Sequence, residues 1–107
     1  MNNIKVVWVT GASTGIGKEI AMQFSKAGYI VVVTARRKSR LVSIVNEIKF
    51  AGREAMAFVC NVASERSVAS TAKRIIENYG RIDCLVNNAG VTAFKSFVDT
   101  KVFDFDY

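Results

Sequence analysis

The chain alternates between two hydrophobic periods. Ile4 to Val9, Ile30 to Thr34, Ala55 to Cys60 and Ile82 to Val86 are short apolar runs with little polar interruption, the first two dominated by Val and Ile. Runs of that length and make-up predict strands buried on both faces. Between them the apolar positions fall three and four apart. Ile16, Ile20, Ala21, Phe24 and Ala27 share one face of a first predicted helix over 16–27. Leu41, Ile44, Val45 and Ile48 share one face of a second, Ser39 to Ala51, with Asn46, Glu47 and Lys49 opposite. Ser64 suits an N-cap and is followed by Glu65, so a third helix is predicted through Tyr79, with Val68, Ala72, Ile75, Ile76 and Tyr79 as its stripe. Gly28, Gly52 and Gly80 stand where each helix should stop.

The predicted order is β-α-β-α-β-α-β. Strands separated by amphipathic helices pair in parallel through right-handed crossovers, so the expected fold class is α/β, a doubly wound parallel sheet truncated after its fourth strand. The outer edge of that fourth strand is expected to lie open. After it come Asn87-Asn88-Ala89-Gly90, a loop, and the start of a helix near Thr100. No repeat, linker or low-complexity segment divides residues 1–107, which read as one partial domain. Ligands of such sheets collect beyond the carboxyl ends of the strands, so chemistry is to be sought just after each one.

The first of those places holds Thr10-Gly11-Ala12-Ser13-Thr14-Gly15-Ile16-Gly17, a glycine-rich turn between strand and helix. Gly11 permits a tight turn, Gly15 lets a diphosphate approach the backbone, and Gly17 lets the helix pack closely. Amides at the helix N-terminus then hold the anion, with Ser13 and Thr14 as added hydroxyl donors. A Rossmann-like dinucleotide site is therefore expected here. At the end of the second strand, where an acidic residue would select NAD by accepting from the ribose hydroxyls, stand Thr34-Ala35-Arg36-Arg37. No carboxylate lies between Glu19 and Glu47. Arg36, helped by Arg37, is therefore expected to bind a 2′-phosphate, making NADP (NADPH) the expected cofactor and NAD the lesser one.

Charge narrows the partners further. The formal net charge is +6, from 15 Lys+Arg against 9 Asp+Glu, which suits an anionic ligand. Nucleic acid is not expected, because the dense basic cluster, Arg36 to Arg40, has no aromatic interleaving. Cys60 and Cys84 lack the companions a disulfide framework or zinc site needs, and read as small apolar residues near strand ends. No signal-peptide layout and no membrane-length apolar run is seen, so a cytoplasmic location is the expectation.

Taken in order, the Thr10 to Gly17 loop, Thr34-Ala35-Arg36-Arg37, Cys60-Asn61-Val62 and Asn87-Asn88-Ala89-Gly90 resemble the short-chain dehydrogenase/reductase family across essentially the whole chain. The resemblance implies that Thr10, Gly11, Ser13, Thr14, Gly15, Ile16 and Gly17 surround the pyrophosphate. It implies that Asn88, Ala89 and Gly90 run beside the adenosine ribose while Asn87 ties the sheet centre. Asn61 stands where the family usually has Asp reading the adenine amino group; it keeps a carbonyl acceptor, and Val62 keeps its N–H. The resemblance also implies hydride transfer between NADP(H) and a carbonyl or alcohol substrate, with a homo-oligomer as one possible assembly.

Family members handle the proton with a serine and a Tyr-x-x-x-Lys pair. Tyr29 is followed at the fourth position by Val33 and Tyr79 by Asp83, Tyr107 is too close to Gly90, and no histidine offers a substitute. No catalytic residue and no metal ligand is assigned. The chain is expected to be the cofactor-binding N-terminal half of a longer enzyme, inactive by itself. The alternative is a stand-alone, non-catalytic nucleotide-binding or redox-sensing module.

Overall fold

A computed structural model of the chain describes residues 3–13 and 15–88. Among the described residues, strands β1 (Val6–Thr10), β2 (Ile30–Ala35), β3 (Ala55–Val59) and β4 (Cys84–Asn87) alternate with helices α1 (Gly15–Lys26), α2 (Ser39–Phe50) and α3 (Glu65–Tyr79). The strands form one parallel sheet in the order β3-β2-β1-β4. Val6 is paired with Ile30, Val7 with Cys84, and Val31 with Ala55. The winding runs outward from β1 to β3 and then returns to place β4 on the other side of β1. That reversal opens a crevice at the carboxyl ends of the strands. The helix expected near Thr100 falls outside the described residues.

Alternation along β1 sorts the core into two layers. Val7 and Val9 join Val31, Val33, Ala21 of α1, and Leu41, Ile44 and Ile48 of α2. Val6 and Trp8 face the other way, joining Ile30, Val32, and Val68, Ala72 and Ile75 of α3. Right-handed crossovers in opposite winding directions require this division of the helices. The inner strands β1 and β2 are buried at every position, whereas β3 and β4 are edges, mostly half-buried, with Val59 exposed. Burial on both faces thus holds for the inner pair and fails at the edges, because apolar content does not reveal which strands have two neighbours.

Helix α1 corrects a second expectation. Its buried residues are Gly17, Ala21 and Ser25; Ile20 and Phe24 are half-buried, and Ile16 is 70% exposed. Small residues turn inward because α1 lies close to the turn that precedes it, which leaves no room for the Ile16 side chain beneath.

The amino ends of the strands are clasped by charge. The Val6 N–H donates to the Asp83 carboxylate at 2.8 Å, and Arg81 donates to the same carboxylate from Nε at 2.7 Å and from Nη2 at 2.6 Å. Hydrogen bonding from Arg81 holds the Asp83 carboxyl below the usual carboxylate range, against an opposing push from burial. This clasp explains why the regular ladder of β4 starts at Cys84 and not at the fully buried Ile82: the Asp83 side chain takes the Val6 amide.

Helix α3 is delimited as its sequence predicts. Ser64 is extended (φ −113°, ψ 117°) and its Oγ accepts from the Ser67 N–H at 3.2 Å. Gly80 closes the helix at φ +79°, its N–H donating to the Ile76 carbonyl at 2.7 Å. Ser64→Ala is expected to lower stability by ~1 kcal/mol in denaturant titration. An unchanged midpoint and slope would show that the cap contributes nothing.

Candidate functional site

Four loops leave the carboxyl ends of the strands, and backbone and side-chain hydrogen bonds tie them together. After β1 the chain turns at Gly11 with φ +64°, a conformation that a Cβ would strain. The Ala12 N–H donates to the Thr34 carbonyl at 3.3 Å, joining this turn to the end of β2. From the other side, the Asn88 amide donates to the Gly11 carbonyl at 3.1 Å. The Thr10 hydroxyl lies 3.1 Å from Asn87 Oδ1 and 3.3 Å from the Val86 carbonyl. Asn87 therefore does bridge β1 and β4, at the carboxyl ends of the two strands. Gly17 seals the turn from below: a Cβ there would sit 2.5 Å from the Gly11 carbonyl oxygen and 2.7 Å from Ala12 Cα. Gly15 differs, since a Cβ there would meet nothing within 4 Å.

After β2 come Arg36 and Arg37, both exposed, and then α2, which opens with Lys38 at its N-cap and no side-chain cap. After β3 the buried Cys60 donates its N–H to the Ala35 carbonyl at 3.0 Å. Asn61 folds over its own loop, Oδ1 accepting from the Ala63 N–H at 3.1 Å while its backbone N–H donates to Ser67 Oγ at 2.9 Å. Its carbonyl oxygen is thus partly engaged within the protein, and its side-chain amino group is left for other partners.

These loops enclose a cleft of about 550 Å³. Of the residues anticipated from sequence, Gly11, Ser13, Arg36, Arg37, Asn61, Val62 and Asn88 line it. Thr10 is buried one step behind, Gly17 lies beneath the turn, and Gly15 and Ile16 are exposed at the start of α1 without lining the cleft. Thr14, Ala89 and Gly90 fall outside the described residues. Ala35, Arg40, Cys60 and Ala63 also line the cleft without having been assigned to the site from sequence. Arg40 was visible as the end of the basic cluster, but no role was assigned to it.

The lining contains three arginines and no carboxylate. Among the described residues, none of the three guanidinium groups has a hydrogen-bonding or ion-pairing partner; the ion pair found there is Arg81–Asp83, at the opposite end of the strands. Positive potential from these groups is therefore uncompensated and augments the helix N-termini nearby. Tyr79 lies remote from this cleft: its hydroxyl donates to Glu54 at 2.9 Å, and burial, aided by that carboxylate, pushes its pKa far up. Such a phenol holds its proton tightly and acts as a tie between α3 and the segment before β3. Among the described residues no cluster of His, Cys, Asp and Glu could hold a metal ion, and no helix is long and apolar enough to cross a membrane.

Comparison with known proteins agrees with this arrangement. The chain is 40% identical over 103 residues to 3-oxoacyl-(acyl-carrier-protein) reductase FabG of Staphylococcus epidermidis, an alignment covering 95% of this chain and 42% of that protein. It superposes on a metagenomic short-chain oxidoreductase solved in complex with NADP, with a TM-score of 0.77 and 42% identity, over 81% of this chain and 39% of that one. NAD+-bound xylitol dehydrogenase is similar at a TM-score of 0.76 and 33% identity, over 81% and 34%. The chain thus spans about a third to two fifths of the length of these relatives. Residues 5–107 match the short chain dehydrogenase family, and the chain belongs to it.

Proposed function

We propose that this chain binds NADP(H) in the cleft and forms the cofactor half of an oxidoreductase that moves hydride between NADP(H) and a carbonyl or alcohol substrate. The observation that carries the reading is the carboxylate-free, arginine-lined cleft at the switch point of a doubly wound sheet. The residues fit the group. The turn from Thr10 to Gly17, with the hydroxyls of Ser13 and Thr14, holds the pyrophosphate, and Gly15 leaves the space beside α1 open for it. Arg36 and Arg37 hold the 2′-phosphate, Asn61 and Val62 the adenine edge, and Asn88 to Gly90 the ribose. Ala35, small and neutral, supports NADP over NAD, since a carboxylate there would repel the extra phosphate. The bound dinucleotide would supply or accept the hydride.

Handling of the substrate proton is assigned elsewhere. Tyr29 and Tyr79 lack a lysine four residues on, and the Tyr79 phenol is held by Glu54. This chain by itself is therefore proposed to bind cofactor without turnover. Trp8 is the single tryptophan, so energy transfer from its indole to the reduced nicotinamide offers a direct titration signal. Expected is saturable NADPH binding with NADH weaker by about tenfold or more. Absence of binding at millimolar concentrations of either dinucleotide, or tighter binding of NADH, would remove the reading.

A further inference from the structure

We propose that Arg40 is a specificity-determining residue, which supplies from the first turn of α2 a further guanidinium to the phosphorylated ribose held by Arg36 and Arg37. The proposal rests on the NADP(H) reading above and adds to it a residue that lies beyond the Arg36-Arg37 pair.

Arg40 lines the same cleft as Ser13, Arg36 and Arg37, although it belongs to a different element from any of them. Its position is a poor one for the fold. The amino end of a helix carries excess positive partial charge, so a cation in the first turn is disfavoured. Helix α2 has no acidic residue in that turn to offset it, and Lys38 at the N-cap gives no side-chain oxygen to the orphan amides. Arg36, Arg37 and Lys38 add three more positive charges within the same five residues, 36–40. Among the described residues none of these four side chains has a hydrogen-bonding or ion-pairing partner. A merely solvated helix face would intersperse charges of both signs. A run of one sign, left without partners at the mouth of a cleft, instead matches a doubly charged oxyanion that more than one planar fork can engage at once.

The test measures dissociation constants of NADPH, NADH, adenosine 2′,5′-bisphosphate and ADP for the unaltered chain and for Arg40→Ala, Arg40→Lys, Arg36→Ala and the double alanine variant. Arg40→Ala is expected to weaken NADPH and the 2′,5′-bisphosphate by about tenfold while changing NADH and ADP by less than about twofold. Arg40→Lys should recover part of the loss, because it keeps the charge but not the fork. The double variant should lose less than the product of the single losses, since both groups act on one phosphate. Thermal stability should be unchanged or slightly raised in Arg40→Ala, which relieves a disfavoured charge and distinguishes loss of contact from loss of fold. The proposal is overturned if Arg40→Ala weakens NADPH and NADH equally, or neither, while Arg36→Ala erases the preference; the cofactor reading would then stand without Arg40. If the unaltered chain binds no dinucleotide, both fall together.

Discussion

Trp8→Ala is expected to cost ~3–5 kcal/mol, the largest loss of any single truncation in the inner strands. Trp8 is 1% exposed in the middle of β1 and is the largest side chain of the layer that receives α3. Its indole Nε1 donates to Thr34 Oγ1 at 2.9 Å, a buried bond between neighbouring strands one residue before the end of β2. Truncation therefore removes the largest member of the cluster that holds Val32, Val68 and Ile75 and strips a fully buried hydroxyl of its donor. Since domains of this size are stable by only ~5–15 kcal/mol, much of the folded population should be lost on warming. Trp8→Phe separates the two causes: it retains most of the packing and should cost ~1–3 kcal/mol for the missing bond and smaller ring. Denaturant titration of both variants checks the expectation. A loss below ~1 kcal/mol in the alanine variant would mean that α3 does not pack on this face as described.

The second large effect is expected at Gly17. A methyl group there would meet the Gly11 carbonyl oxygen at 2.5 Å and Ala12 Cα at 2.7 Å, both backbone atoms that no rotamer change can move. Gly17→Ala should therefore cost at least ~1–3 kcal/mol and displace the turn, weakening every dinucleotide together, with or without a 2′-phosphate. Gly15 is the internal control, because a Cβ there has open space around it. Gly15→Val should fold with nearly unaltered stability yet bind NADPH poorly, its side chain occupying space that only a ligand would fill. The contrast is read by pairing thermal melts with NADPH titrations on each variant. If Gly17→Ala melts as the unaltered chain does, the close approach of α1 to its turn is wrong.

Together with the NADPH-over-NADH preference, these variants divide the proposed site by what each part contributes. In that proposal Gly17 decides whether the turn forms, Gly15 whether a diphosphate approaches it, and Arg36 and Arg40 which dinucleotide is preferred. The Asn88 contact to the Gly11 carbonyl belongs with the first group, because it holds the same turn from β4.

Much of this molecule was legible in its residues. Four apolar runs and three amphipathic stretches named every element of the described residues in order, and their ends agreed with the structure to within about two residues. Ser64 and Gly80 marked their helix ends because capping is a local matter, settled by a side-chain oxygen and by freedom at positive φ. The four loops that gather at the cleft were also legible, since a doubly wound sheet places the end of every strand on one side.

Other features followed only from the assembled fold. Ile16 was expected on the buried stripe of α1 and is 70% exposed, because Gly17 brings the helix so close to its own turn that only small residues fit beneath. Arg40 was noted only as the end of the basic cluster and lines the cleft, a placement that depends on how α2 packs through Leu41, Ile44 and Ile48 against the sheet. Periodicity reports what a segment does about its own axis, and so it determined the elements and their order. Which residue of each element faces the cleft depends on how closely, and at what rotation, one element packs on another, and that is a property of pairs of surfaces that no single stretch of sequence contains.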